Sequence, residues 1–301
     1  MKILVLGSEG FIGSQCVSHF VATGDTVYGV DLFEQPSQGY LYTKVSRLSP
    51  ELEELFTKYQ FEVVINASGS GNVPYSMTHP VIDFEANSLD TIRVLDAIRK
   101  YQPACRYIHI SSAAVYGNPR QLPIHEDDAS SPLSPYGWHK LISEQLCKEY
   151  SSLYSLRLAV IRPFSVYGKG LKKQLFWDLF TKITRSSGRI ELHGTGKESR
   201  DFIHVQDMVR AIALIIEKGR MQGEVYNVAS GEEITIQQAV QYFIETLKSP
   251  VNYTFNGQVR AGDPLNWRAD ISTLQSLGFT TAYTLKAGLA EVSLWMQELT
   301  N

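Results

Sequence analysis

Lys2 to Gly13 reads KILVLGSEGFIG: five mostly apolar residues, then glycines at 7, 10 and 13. A helical stretch from Ile12 to Ala22 follows, then Thr26-Val27-Tyr28-Gly29-Val30 and a terminal acid, Asp31. Strand, glycine turn, helix, strand and acid in this order are the parts of a dinucleotide-binding unit. Gly7 permits a tight turn off the strand. Gly10 lets backbone N–H groups approach a pyrophosphate, and Gly13 lets helix and strand pack closely. The helix N-terminus favours phosphate charge, and Asp31 can accept hydrogen bonds from an adenosine ribose diol. No Lys or Arg occurs from Leu32 to Thr43 to greet a 2′-phosphate, so the expected cofactor is NAD. Its expected contacts are Gly7, Gly10, Phe11, Ile12, Gly13 and Asp31.

Working outward, apolar runs alternate with helical patterns. Strands are expected at Glu62 to Asn66, Arg106 to Ile110 and Leu156 to Ile161, with helices at Pro50 to Lys58, Val81 to Tyr101 and Pro135 to Ser152. This alternation predicts an α/β fold, a doubly wound parallel sheet of the Rossmann type covered on both faces. After Arg162-Pro163 the strands shorten and Gly, Lys and Ser become frequent. A helix at Val205 to Lys218 and a strand at Glu224 to Val228 are expected to return to the sheet. Late helices are expected at Thr235 to Leu247 and Leu285 to Glu298. The domain reading is therefore 1–165 with a return near 203–230, and a smaller discontinuous substrate domain from 166–202 and 231–301.

Composition excludes other classes. A net charge of −3 gives no basic footprint for nucleic acid. Cys16, Cys105 and Cys147 lie far apart and form no CxxC pair, so neither a disulfide framework nor a zinc site is expected. A first strand beginning at residue 2 and the lack of a long apolar run predict a cytoplasmic protein with no membrane partner. His125-Glu126-Asp127-Asp128 reads as a solvated acidic loop, not a metal site.

The chemistry concentrates in SPYGWHK, where Tyr136 and Lys140 stand four apart after a Ser134 cap and a Pro135. Residues i and i+4 share a helix face, so an ammonium there can favour a phenolate. His139 is expected on the helix surface. Ser111-Ser112-Ala113-Ala114-Val115-Tyr116-Gly117 follows the Arg106 strand, which places a serine hydroxyl at the sheet's carboxyl edge.

Taken in order, GSEGFIG, Asp31, SSAAVYG, YGWHK, RPFSVYGKG and RDFIHVQDMVRAI resemble the extended short-chain dehydrogenase/reductase family. More narrowly, they resemble its NAD-dependent epimerases and dehydratases of nucleotide sugars. The resemblance implies Tyr136 as general acid/base, Lys140 on the nicotinamide ribose and lowering the tyrosine pKa, and Ser112 on the reacting oxygen, with Ser111 capping the strand end. It also implies Ser165, Arg200 and Arg260 as sugar-nucleotide contacts, the two arginines on the diphosphate. A homodimer would pair the Val81 and Pro135 helices across a two-fold axis.

Departures narrow the reading. The 4,6-dehydratases carry Asp-Glu where this chain has Ala113-Ala114, so water elimination lacks its catalysts. Ser165 replaces a frequent Asn, and Tyr75 follows Val73-Pro74 where Arg is frequent, which leaves the sugar open. The expected function is NAD-dependent epimerisation of a nucleoside-diphosphate sugar at C4. The alternatives are a 4-keto-sugar reductase or dehydrogenase on the same site, and a silent dinucleotide-sensing protein.

Overall fold

A computed structural model describes residues 1–34, 36, 39–46, 51–258, 262 and 264–300. Its centre is a seven-stranded sheet. Six strands are β1 (Lys2–Leu6), β2 (Thr26–Asp31), β3 (Leu41–Lys44), β4 (Val63–Asn66), β5 (Arg106–Ile110) and β6 (Leu158–Pro163). The seventh is Gln222–Val228, and the spatial order is Gln222–Val228, β6, β5, β4, β1, β2, β3. Every pairing is parallel.

Alternation along each strand sends side chains to two separate apolar layers. From β1, Ile3 and Val5 join Val17 and Phe20 of the Phe11–Ala22 helix and Met208, Ile212 and Ile215 of the Val205–Lys218 helix. Leu4 and Leu6 join Val94, Leu95 and Ile98 on the other face, with Cys147 and Tyr150. The sheet is the expected doubly wound α/β fold. The direction of winding reverses between β1 and β4, which opens a crevice at their carboxyl ends, where ligands of such sheets bind.

A third apolar layer lies apart from these, with Phe176, Phe180, Phe243, Leu289 and Trp295 among its residues. It fills the space under the helices Gln174–Arg185, Ile236–Leu247 and Leu285–Glu298. Three two-stranded ribbons accompany it: Ser165–Tyr167 with Phe202–His204, Ser199–Arg200 with Ile234–Thr235, and Arg189–Leu192 with Asn252–Phe255. Among the described residues no helix is long and apolar enough to cross a membrane.

The helix expected from Val81 to Tyr101 is not continuous. It runs as Pro80–Phe84, a π-helical turn at Glu85–Leu89, then Asp90–Tyr101. The wide turn carries buried Asn87 and Ser88, and Asn87 Nδ2 donates back to the Asp83 carbonyl (3.1 Å). Such turns concentrate at functional sites, and this one faces the helix that holds Tyr136.

Candidate active site

At the carboxyl end of β1, Gly7 has a φ of 75°, and a Cβ there would stand 2.7 Å from the Ala67 carbonyl oxygen. A Cβ on Gly13 would stand 1.9 Å from the Gly7 carbonyl oxygen, so helix and turn touch through bare backbone. No side chain caps the helix that begins after Gly10, which leaves its first-turn N–H groups open to an anion. Asp31 closes β2 beside this turn: its Oδ2 accepts from the Glu9 N–H (2.9 Å) and its Oδ1 from the Leu32 N–H (2.7 Å). A cradle that side chains would fill, with a carboxylate at its far edge, fits a dinucleotide whose ribose is unphosphorylated. We expect NADP to bind at least roughly tenfold more weakly than NAD, a difference near 1.4 kcal/mol, and Asp31→Ala to narrow the gap. Calorimetric titration of both dinucleotides checks this, and tighter NADP than NAD binding in the unaltered protein would refute it.

The reactive hydroxyls meet at the next strand ends. Ser134 caps the Pro135–Tyr154 helix, its Oγ accepting from Gly137 N–H at 3.2 Å, with Pro135 in the first turn as expected. A Cβ on Gly137 would lie 2.7 Å from the Ala114 carbonyl oxygen, so this helix start seats directly on the turn after β5. Ser112 opens that turn, its Oγ accepting from Ala114 N–H at 3.1 Å, and hydrogen-bonds the Tyr136 phenol. The Tyr136 backbone N–H donates to Ser76 Oγ (3.1 Å), on the short helix Val73–Thr78. Lys140 is buried, and its Nζ donates to the Ile110 carbonyl at the end of β5 (2.9 Å).

Burial pushes the Tyr136 phenol above its ordinary range; the Ser112 hydrogen bond opposes this and the charge of Asp83 adds to it. The lowered phenol expected from Lys140 is therefore not observed: desolvation dominates, and the ammonium is held by a backbone carbonyl. Burial pushes Lys140 down to about 8, against the charges of Asp83 and Glu144 that hold it up.

Behind these groups lies a polar network that the sequence reading missed. Arg162 on β6 grips Glu144 with two donors, Nε to Oε1 (3.0 Å) and Nη2 to Oε2 (2.7 Å). Its Nη1 donates to the Tyr116 hydroxyl (2.7 Å), which donates to Asn227 Oδ1 (2.7 Å). Ser111 donates to Glu144, so its hydroxyl supports the helix and not the strand end. Glu126 is also buried, its Oε1 accepting from the Asn227 N–H (2.9 Å). The acidic loop is thus structural at Glu126 and not wholly solvated. His139 is likewise not a free surface residue, since its Nδ1 lies 2.7 Å from Oδ2 of buried Asp83.

On the far side of the crevice, Ser165 begins the ribbon strand Ser165–Tyr167, and its N–H donates to the Asp201 carbonyl (2.9 Å). The Arg200 guanidinium is half-buried over the Trp267 ring and donates to the Ser199 carbonyl (2.8 Å). Asp201 is a buried anchor: it accepts from Ser230 N–H and Oγ, Gly231 N–H and Ala269 N–H. Burial nonetheless pushes its carboxyl up to about 6. Arg260 lies outside the described residues. The three cysteines are buried and unpaired.

Residues 3–229 match the model of the NAD dependent epimerase/dehydratase family. A Methanocaldococcus jannaschii protein bearing the provisional name UDP-glucose 4-epimerase is 30% identical, over 98% of both chains. The GDP-6-deoxy-D-mannose reductase of Pseudomonas aeruginosa is 28% identical, over 92% of this chain and 94% of the reductase. Among solved structures, MoeE5 in complex with UDP-glucose and NAD superposes with a TM-score of 0.91 and 29% identity, over all of both chains.

Proposed function

The chain belongs to the NAD-dependent epimerase/dehydratase family, and from that premise we propose that it inverts C4 of a nucleoside-diphosphate sugar with bound NAD. One observation carries the reading. Ser112, Tyr136 and Lys140 converge beside a dinucleotide cradle while Ala113 and Ala114 occupy the turn between them. Hydrocarbon side chains there move no proton, and Ala113 is fully buried, so an acid–base pair for elimination has neither chemistry nor room.

Gly7, Gly10, Phe11, Ile12, Gly13 and Asp31 would hold NAD, with Lys140 on its nicotinamide ribose. Bound NAD supplies a reversible hydride acceptor. Tyr136 takes the proton of the C4 hydroxyl and later returns one to the same oxygen. Ser112 orients that oxygen through the hydroxyl it shares with the phenol. Burial keeps the phenol protonated between turnovers, so it serves as the acid of the return step without delay. Ser165 contacts the sugar, while Arg200 and Arg260 bind the diphosphate, as guanidinium forks suit phosphate oxygens. These residues belong to a smaller substrate domain (166–202 and 231–301) that closes over a cofactor domain (1–165 and about 203–230).

We place the enzyme in the cytoplasm as a homodimer. Val81 (68% exposed), Phe84, Trp138 (52%) and Ile142 present apolar surface on the two helices expected to pair, and a second copy of that surface would cover it.

Hydride balance tests the reaction. An epimerase returns its hydride to the same sugar, so trace NAD should sustain many turnovers of UDP-glucose with C4 inversion and no lasting nicotinamide absorbance. The second reading, a 4-keto-sugar reductase, is favoured by the likeness to the Pseudomonas reductase. Stoichiometric NAD(P)H consumption with a 4-keto-6-deoxy sugar nucleotide, and no inversion of UDP-, dTDP-, GDP- or CDP-hexoses, would establish it instead.

A further inference from the structure

Asp83 stands on the Pro80–Phe84 helix with no exposed surface, and only one of its oxygens is occupied. Oδ2 pairs with His139 Nδ1 at 2.7 Å, whereas Oδ1 is buried with no hydrogen-bond partner among the described residues. A buried carboxylate half-satisfied in this way is costly unless a cation stands near it. The cation is Lys140, next in sequence to His139, on whose charge Asp83 acts. The same carboxylate acts on Tyr136.

We propose that Asp83, locked by His139, is a positioning residue that keeps Lys140 charged and so sets the pH range over which the Tyr136–Lys140 pair works. The inference rests on the roles given to Tyr136 and Lys140 above. Other groups face the same ammonium but are engaged elsewhere. Glu144 is gripped by Arg162, Cys147 is a buried thiol, and His109 on β5 is tied to Ser143 Oγ (2.8 Å) and Tyr107. Tyr136 faces Ser112 and Asp83. Asp83 is thus the counter-charge of Lys140 that no basic side chain neutralises. His139 Nδ1–H supplies the one hydrogen bond that keeps it ionised, and the imidazole is itself mostly covered, with 12% of its side chain exposed and its ring edge-on to Phe84.

The sign follows from charge. Asp83 favours the ammonium of Lys140 and disfavours the phenolate of Tyr136, so its loss moves both titrations to lower pH. In the full-length protein, the midpoint of the alkaline loss of NADH binding, read by fluorescence, should fall by roughly one pH unit in Asp83→Asn. His139→Leu, which strips the donor from Asp83, should shift it in the same direction. His139→Asn, which can still donate an N–H, should leave the midpoint in place. The alkaline limb of kcat/KM for UDP-glucose should follow. Weaker binding at every pH with an unmoved midpoint in both Asp83→Asn and His139→Leu would overturn the proposal. If Asp83→Asn does not fold, the two His139 variants decide. Tyr136→Phe separates the levels: turnover surviving in it defeats the catalytic assignment, whereas an unmoved NADH-binding midpoint defeats only the role of Asp83.

Discussion

Tyr136→Phe is expected to lower turnover by roughly 10²- to 10⁴-fold while leaving folding and NAD binding near normal, since general acid/base catalysis contributes on that scale. The substitution removes the phenolic proton and little else. The ring keeps its place because its position is set by backbone: Ser134 caps the helix, Ser76 Oγ accepts from the Tyr136 N–H, and Gly137 rests against the Ala114 carbonyl. Initial rates with UDP-glucose, alongside NADH titration and a melting curve, make the measurement. Near-normal turnover on a confirmed substrate would remove Tyr136 from the chemistry.

Glu144→Ala carries the largest expected cost in stability. It strips a buried guanidinium of both carboxylate contacts and leaves Ser111 without its acceptor. Removing one partner of a buried ion pair costs about 3–5 kcal/mol. By contrast, Asp96→Ala breaks a pair with Lys100 whose side chains are 32% and 44% exposed, and is expected to cost no more than about 1 kcal/mol. Urea unfolding of the two variants provides the comparison. A loss for Glu144→Ala as small as that for Asp96→Ala would mean that water reaches Arg162.

The sheet was readable because its signal is local. Five apolar runs, a glycine turn and helices of fitting length leave few alternatives to a doubly wound fold. Ser112, Tyr136 and Lys140 were readable because a capped helix start and a strand end have sequence signatures of their own. β3 was not, since Leu-Tyr-Thr-Lys is a short, half-exposed edge strand with no burial pattern to mark it. The helix Val73–Thr78 depends on Asn72, whose side chain accepts from Tyr75 N–H, a cap easily passed over in a loop. The misplaced side chains share one cause. His139 is covered by an acid 56 positions away, and Glu126 by a backbone group 101 positions away. Periodicity on one helix or polarity in one loop holds no record of such partners.

Asn227, in the last strand to join the sheet, has a consequence for how the chain is made. Its side chain receives the Tyr116 hydroxyl and donates to the Ile124 carbonyl, and its N–H reaches Glu126. Until that strand leaves the ribosome, β6 has an open edge and the Arg162 cluster lacks its final members. Nascent chains that stop near residue 200 therefore hold every candidate catalytic residue yet expose a pairing edge over unsatisfied buried groups. Such fragments should engage chaperones or aggregate, and the first half of the protein should not be obtainable as a soluble cofactor-binding module.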